Sequence, residues 1–296
     1  MYVFGNNRSW IFIYFGCIIL FWLTNAKEVT LYDSSKYSTL DWTIYPEADD
    51  IATYEGWTET GASYARKFQV CQVRERNQNN WIRLPHIKHN NANLIIVDLE
   101  FTMYSCEQAS GIVSCRETFD LYYADVNGSI ESILPFTAPP YTKISRIAAD
   151  GRFSDPSADN EVVNKVTERF GPIRSNGFYL AMQDQGACMA LLRTRIYYRV
   201  CPKIMMNLAN FPETVTGDYV TSLVEARGAC VPNSKKVGVE DPTYQCQSDG
   251  TWTVLQGECL CSEGYFQTEN LAACEDGQYA EASPSCFQFI AQNYNF

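Results

Sequence analysis

Two histidines and twelve cysteines are the residues of this 296-residue chain best suited to chemistry. His86 and His89 form a His-x-x-His pair, a spacing that two ligands of a zinc site can adopt. No HExxH motif accompanies them and no third ligand stands nearby, so they read as polar residues of a sheet or surface. A serine nucleophile of the hydrolase type needs a G-x-S-x-G elbow, which does not occur. A phosphate loop, kinase HRD and DFG motifs and a G-x-G-x-x-G turn are missing as well. The acids Asp49 and Asp50 are adjacent in a turn and point apart, which suits solvation rather than a shared proton. These patterns lead to no catalytic site, no metal and no cofactor. The expectation shifts to binding.

The cysteines carry a different chemistry, set by compartment. Residues 1–26 read as a secretory signal: Arg8 supplies the positive start, Ile11–Leu23 the apolar run and Thr24-Asn25-Ala26 the cleavage end. The alternative is a signal anchor that stays uncleaved, and either one routes the chain out of the cytosol. No later stretch approaches the ~18 apolar residues of a second span. Cysteines of an exported chain are expected as disulfides rather than thiols or metal ligands. Cys17 falls in the signal and leaves eleven, so one has no partner within the chain. A net charge of −11 argues against nucleic acid and against an anionic membrane surface as partner.

The elements that must position a binding surface are strands. The stretch Ser175–Cys201 organises them, with two alternating segments around a Gly-Ala-Cys turn. Phe178, Leu180 and Met182 share one face, with Tyr179, Ala181 and Gln183 opposite. Regular alternation places Leu192, Thr194, Ile196, Tyr198 and Val200 on one face, and Leu191, Arg193, Arg195, Tyr197 and Arg199 on the other. Cys188 in the turn must find a partner far upstream. Leu94–Cys106 alternates as clearly, with Val97, Leu99, Phe101 and Met103 on one face. Trp81 reads as a core anchor with its indole N–H satisfied. Many short strands and almost no helical periodicity predict an all-β fold, a jelly-roll β-sandwich of galactose-binding-like type. Asn127-Gly128-Ser129 is both a hairpin-turn signal and a glycosylation acceptor, which places Asn127 on the surface. After Cys201 the cysteines arrive every few residues, and small disulfide-stapled modules follow. From the residues alone, a protein-binding receptor module and a lectin-like sugar-binding module both remain open.

Several stretches resemble the extracellular region of Eph receptors, the receptor tyrosine kinases that bind ephrins. They are EVTLYDSS, QNNWIRLPHI, SCRETFDLYYADV, IAADGRF, FGPIRSNGFYLAMQDQGACMALLRTRIYYRVCP and FPETVTGDYVTSLVEARGAC, which together cover most of Glu28–Cys274. The resemblance implies an ephrin-binding jelly roll over 27–201, with bridges Cys71–Cys188 and Cys106–Cys115. It also implies a channel beside the first bridge whose wall involves Val70, Cys71, Thr102, Tyr104, Cys188 and Ala190. Residues 202–260 resemble a sushi module, stapled first to third and second to fourth as Cys201–Cys246 and Cys230–Cys259, with Trp252 as its core. Residues 261–296 resemble a truncated EGF-like segment, in which Cys261, Cys274 and Cys286 leave one cysteine over.

Three departures from the family pattern stand out. Tyr104 occupies the position where many members carry an arginine that pairs with an acidic ephrin residue. The loop between Trp57 and Cys71 is shorter than usual. Fibronectin repeats, a membrane span and a kinase do not follow. The implied function is ephrin binding in contact-dependent cell-cell signalling, with receptor clustering, and with membrane contact only through segments outside this sequence. A plasma-membrane receptor or a secreted, decoy-like isoform would both be extracellular. A lectin-like jelly roll is the rival from another class.

Overall fold

The computed structural model describes residues 26–46, 56–108, 111–128, 134–155, 161–270 and 272–277. The expected signal core, Asp49-Asp50, Ser129, Cys286 and the C-terminal tail lie outside the described residues. The first twelve strands in chain order are β1 (Lys27–Asp33), β2 (Thr43–Tyr45), β3 (Thr58–Thr60), β4 (Lys67–Cys71), β5 (Asn80–Arg83) and β6 (Ile87–Lys88), then β7 (Ile95–Met103), β8 (Thr118–Val126), β9 (Thr142–Ala148), β10 (Asn164–Phe170), β11 (Gly177–Asp184) and β12 (Cys188–Cys201). They form two antiparallel sheets. Sheet A runs β10-β7-β12-β4-β3 with β1 also paired to β12, and sheet B runs β2-β5-β11-β8-β9 with β6 beside β11. This is a jelly-roll β-sandwich, as the alternation predicts.

The layers meet through the apolar faces of their strands. Val97, Leu99, Phe101 and Met103 of β7 all belong to the central cluster, together with Phe178, Leu180 and Met182 of β11. Phe101 meets Phe119 edge-on at 5.2 Å, and Phe170 meets Phe178 in the same way at 5.2 Å. Each pair ties one sheet to the other, and such geometry contributes about 0.5–1.5 kcal/mol beyond the area it buries.

Strand β11 departs from simple amphipathy, because its second face is buried too. Tyr179 and Ala181 pack with Trp81, Tyr122, Tyr141 and Leu134 in a separate cluster outside sheet B. Arg83, only 1 % exposed, donates from Nη1 to the Leu134 carbonyl at 3.1 Å and lies over the Phe136 ring. Trp81 is buried here, its Nε1 donating to Asn79 Oδ1 at 2.8 Å. Its core is therefore the outer aromatic cluster and not the inter-sheet layer. Trp57, fully buried in the central cluster, carried no signal in the sequence reading.

Strand β12 corrects the expected faces. Its ladder with β7 pairs Leu191 with Phe101 and then Arg193 with Glu100, so Leu192 is an inserted residue. Before this bulge Met189 and Leu191 enter the core; after it Ile196, Tyr198 and Val200 do. A bulge adds one residue, and with a side-chain period of two one residue exchanges the faces. Regular alternation puts Leu191 on the face of Arg193, Arg195 and Arg199, yet it is 3 % exposed. Leu192, which regular alternation puts with Ile196, Tyr198 and Val200, is only half-buried and outside the central cluster.

The cysteine-rich part is built from short two- and three-stranded sheets. Disulfides join Cys71–Cys188, Cys106–Cys115, Cys201–Cys246, Cys230–Cys259 and Cys261–Cys274. The centre of this part is Phe211, fully buried, whereas Trp252 is half-buried and stacks on Tyr244 at 5.0 Å. Thr214 and Val215 pair with the end of β12, Lys27 reaches Glu213 at 2.7 Å, and Arg174 reaches Asp218 at 2.9 Å. The cysteine-rich part thus continues directly from sheet A. Among the described residues no helix is long and apolar enough to cross a membrane.

Candidate functional site

The bulge at Leu192 decides what sheet A presents to solvent. In antiparallel strands, directly opposed residues point to the same side. Cys188 stands opposite Cys71, and Ala190 stands opposite both Gln69 and Thr102. Their core-facing neighbours are Met189, Val70 and Met103, all in the central cluster. Cys188, Ala190, Gln69, Cys71 and Thr102 therefore share the outward face, and Tyr104 follows Thr102 by one period. Beyond the bulge the outward side chains are Arg193, Arg195, Tyr197 and Arg199. Without the inserted residue, Cys188 and Ala190 would face the core.

These outward residues line an open hollow of about 370 Å³. All six residues expected for the ligand channel border it: Val70, Cys71, Thr102, Tyr104, Cys188 and Ala190. Val70 does so along its main chain, because its side chain is 2 % exposed in the core. Sequence reasoning missed Gln69, Thr58, Lys67 and Glu161, which border the hollow as well. Gln69 and Lys67 precede Cys71 at period-two spacing, so the alternation of β4 could have supplied them. Glu161 could not be found that way, since it comes from the far side of sheet A, just before β10. The segment before β4 places Gly56 and Thr58 at the rim, and β3 and a 3-10 turn at Ser63–Ala65 fill the run between Trp57 and Cys71.

A buried carboxylate fixes the turn between β11 and β12. Asp184 is fully buried, and its Oδ1 accepts from the backbone N–H groups of Gly186 at 2.9 Å and Ala187 at 2.6 Å. Its Oδ2 accepts from Asn80 Nδ2 at 3.0 Å. Burial pushes its carboxyl above the usual carboxylate range, against these hydrogen bonds, which lower it. Gly186 has φ +120, a conformation L side chains rarely adopt, and its carbonyl accepts from Arg116 N at 2.9 Å. The turn delivers Cys188 to Cys71 with Cα atoms 4.0 Å apart, and Tyr104 N donates to the Cys188 carbonyl at 2.9 Å.

The outward face beyond the bulge is a lattice of charges. Arg193 makes a two-pronged contact with Asp33, Nε to Oδ1 at 3.0 Å and Nη2 to Oδ2 at 2.8 Å. This contact holds the Asp33 carboxyl down to about 2. Arg195 and Arg199 both reach Glu28, at 2.8 and 3.2 Å. These groups neutralise one another, which leaves the hollow as the part of this face with unclaimed apolar floor.

The histidines are engaged elsewhere. His89 Nδ1 lies 2.8 Å from the Ala92 carbonyl, and His86 Nε2 lies 3.4 Å from the Val126 carbonyl. Among the described residues no group of three or more metal-ligating side chains gathers. Asn127 is exposed at the end of β8; its Oδ1 accepts from Asn176 N at 2.9 Å.

Known proteins resemble both parts of the chain. The family described as ephrin receptor ligand binding domain matches residues 29–201, and the ephrin cysteine rich domain matches residues 202–261. Ephrin type-B receptor 2 of Gallus gallus is 38 % identical over 272 residues, covering 88 % of this chain and 27 % of that protein. Ephrin type-A receptor 4-B of Xenopus laevis is 39 % identical over 268 residues, covering 87 % of this chain and 26 % of that protein. The chain thus spans about a quarter of the length of these relatives. Both matched regions are ligand-binding and cysteine-rich domains, and no kinase region is matched. The C-terminal CBM6 of LamC from Zobellia galactanivorans aligns with 57 % of this chain at 8 % identity and a TM-score of 0.31, too loose a likeness to carry an argument. On the family match, this chain belongs to the ephrin receptor ligand-binding domain family, with that family's cysteine-rich domain following it.

Proposed function

We propose that this chain is the ephrin-binding extracellular region of an Eph-type receptor. It takes part in contact-dependent cell-cell signalling when joined to membrane and kinase parts. The observation that carries the reading is the gathering of Cys71, Thr102, Tyr104, Cys188 and Ala190 on one outward hollow, in a chain of this family. Ala190 and the disulfide form an apolar floor. Gln69, Thr58 and Thr102 supply a hydrogen-bonding rim. An extended ligand segment with an apolar side chain at its tip gains by covering the floor, at about 25 cal/mol per Å² removed from water. Its main chain meets the rim. Tyr104 offers a hydroxyl where the family pattern has a guanidinium, so the acidic anchor of a ligand has to be met by another group.

The boundaries 27–201, 202–260 and 261–296 are proposed as sandwich, sushi-like module and EGF-like segment. The interleaved bridges Cys201–Cys246 and Cys230–Cys259 support the second. Asn127 is proposed as a glycan carrier, supported by its exposure and by the lumenal route that the signal implies.

The test is surface-based binding of the folded chain to a panel of recombinant ephrin ectodomains. Saturable binding is expected, and Ala190→Arg, which fills the hollow from its floor, removes it with little change in melting temperature. Absence of saturable binding across the panel overturns the reading. Unchanged binding by Ala190→Arg overturns the assignment of the hollow.

A further inference from the structure

The hollow has a charged strap across it. Lys67, at the start of β4, and Glu161, just before β10, both border the hollow, and Lys67 Nζ donates to Glu161 Oε1 at 3.4 Å. In sheet A the strands β7 and β12 lie between β10 and β4. Glu161 stands three residues before β10, outside the ladder, and so comes to Lys67 from the opposite edge of the sheet. Lys67 shares the outward face of β4 with Gln69 and Cys71, so the pair forms on that face, beside Thr102 and Ala190. Among the described residues bordering the hollow, Lys67 is the only cation and Glu161 the only anion.

The strap is weak by construction. Its side chains are 36 % and 55 % exposed, and its separation is longer than that of the tight pairs beyond the bulge, such as Arg195–Glu28 at 2.8 Å. Exposed pairs contribute about 0–1 kcal/mol and are screened by salt. An entering ligand can therefore open it at little cost. Once open, Lys67 has three donors at the mouth of a site that the ligand dries. A carboxylate meeting it there is worth far more than Glu161 was in water.

We infer that Lys67 is the specificity-determining cation of this hollow, held in reserve by Glu161, and that the ligand segment it selects carries an acidic side chain beside its apolar tip. Glu161 acts as an internal competitor: it occupies Lys67 until a ligand carboxylate displaces it. The inference rests on the ephrin-binding reading and assigns the charge chemistry of that same site.

Binding of the panel of recombinant ephrin ectodomains is measured for the wild type, Lys67→Met, Glu161→Gln and Ala190→Arg, at low and at physiological salt. Lys67→Met is expected to weaken binding about tenfold or more and to flatten its salt dependence. Glu161→Gln, which frees Lys67, is expected to tighten binding about two- to fivefold, with the larger gain at low salt. Both side chains are exposed, so melting temperatures stay near the wild-type value. Wild-type affinity for Lys67→Met overturns the inference, provided Ala190→Arg still abolishes binding, because the hollow is then the site without its cation. Weaker binding by Glu161→Gln also overturns it, since Glu161 would then be a ligand contact itself. If Ala190→Arg binds normally or no ephrin binds, the hollow reading fails and takes the inference with it.

Discussion

Leu191 packs opposite Phe101 in the core, whereas Leu192, the next residue, is passed over by the ladder to β7 and lies just past the end of the ladder to β4. The strand changes faces between them. One inserted residue thereby turns Cys188 and Ala190 outward to floor the hollow, while the residues beyond it alternate core aliphatics with surface arginines.

This relationship gives a direct test of the face change. Leu191→Asn places an amide in the core and is expected to cost about 2–5 kcal/mol. Leu192→Asn is expected to cost less than about 1 kcal/mol. Denaturant midpoints of the two variants check this. The reverse order is what an unbulged strand requires.

The turn before Cys188 has its own weak point. Gly186 at φ +120 accepts a side chain only under strain, about 1–3 kcal/mol for such a backbone position. Gly186→Ala is expected to lower the melting temperature and to weaken ephrin binding together, because the strain is relieved by moving Cys188 and Ala190. A stable variant with normal binding contradicts this account of the turn.

Acid sensitivity follows from Asp33. Arg193 holds its carboxyl down to about 2 from the model-compound value of 3.8, so the ionised form is favoured by the fold. The stabilisation is fully present above the unfolded value of 3.8 and is lost as the pH falls from there through about 2. Its size is on the order of 2 kcal/mol for this 4 % exposed carboxylate. Chemical denaturation between neutral pH and pH 2 is expected to show that loss in the wild type. In Asp33→Asn the stability is lower at neutral pH and this portion of the slope is missing.

The proposed glycan at Asn127 is expected to be compatible with ligand binding. Strand β8 runs from Thr118, close to the Cys106–Cys115 loop, to Val126, so Asn127 lies about 30 Å along the sheet from that end. The hollow opens near the β11–β12 turn, where Arg116 meets the Gly186 carbonyl. Protein secreted from eukaryotic cells should shift on treatment with a peptide N-glycosidase. Asn127→Gln should remove the shift and leave ephrin affinity unchanged.

Much of the architecture was legible in the chain because alternation is local. Val97, Leu99, Phe101 and Met103 follow one another at period two, and a two-sided sheet has to bury one such set. The same local rule misjudged Leu191, since a bulge changes parity without any special residue to announce it. It also understated β11, whose second face is covered by residues brought from 134–141. Trp252 was expected at the centre of its module; Phe211 lies deeper because its short strand runs between two others.

By itself the sequence determined the all-β class, the use of the cysteines as disulfides and the residues that mark the family, because each depends on near-neighbour pattern or on residue type. Only the tertiary structure decided which face of β12 carries Ala190, and it alone brought Glu161 to Lys67 across 94 residues of chain. The physical reason is the same in both cases. Strand pairing converts distant segments into neighbours about 4.8 Å apart, and its register is set by the whole sheet rather than by any one strand.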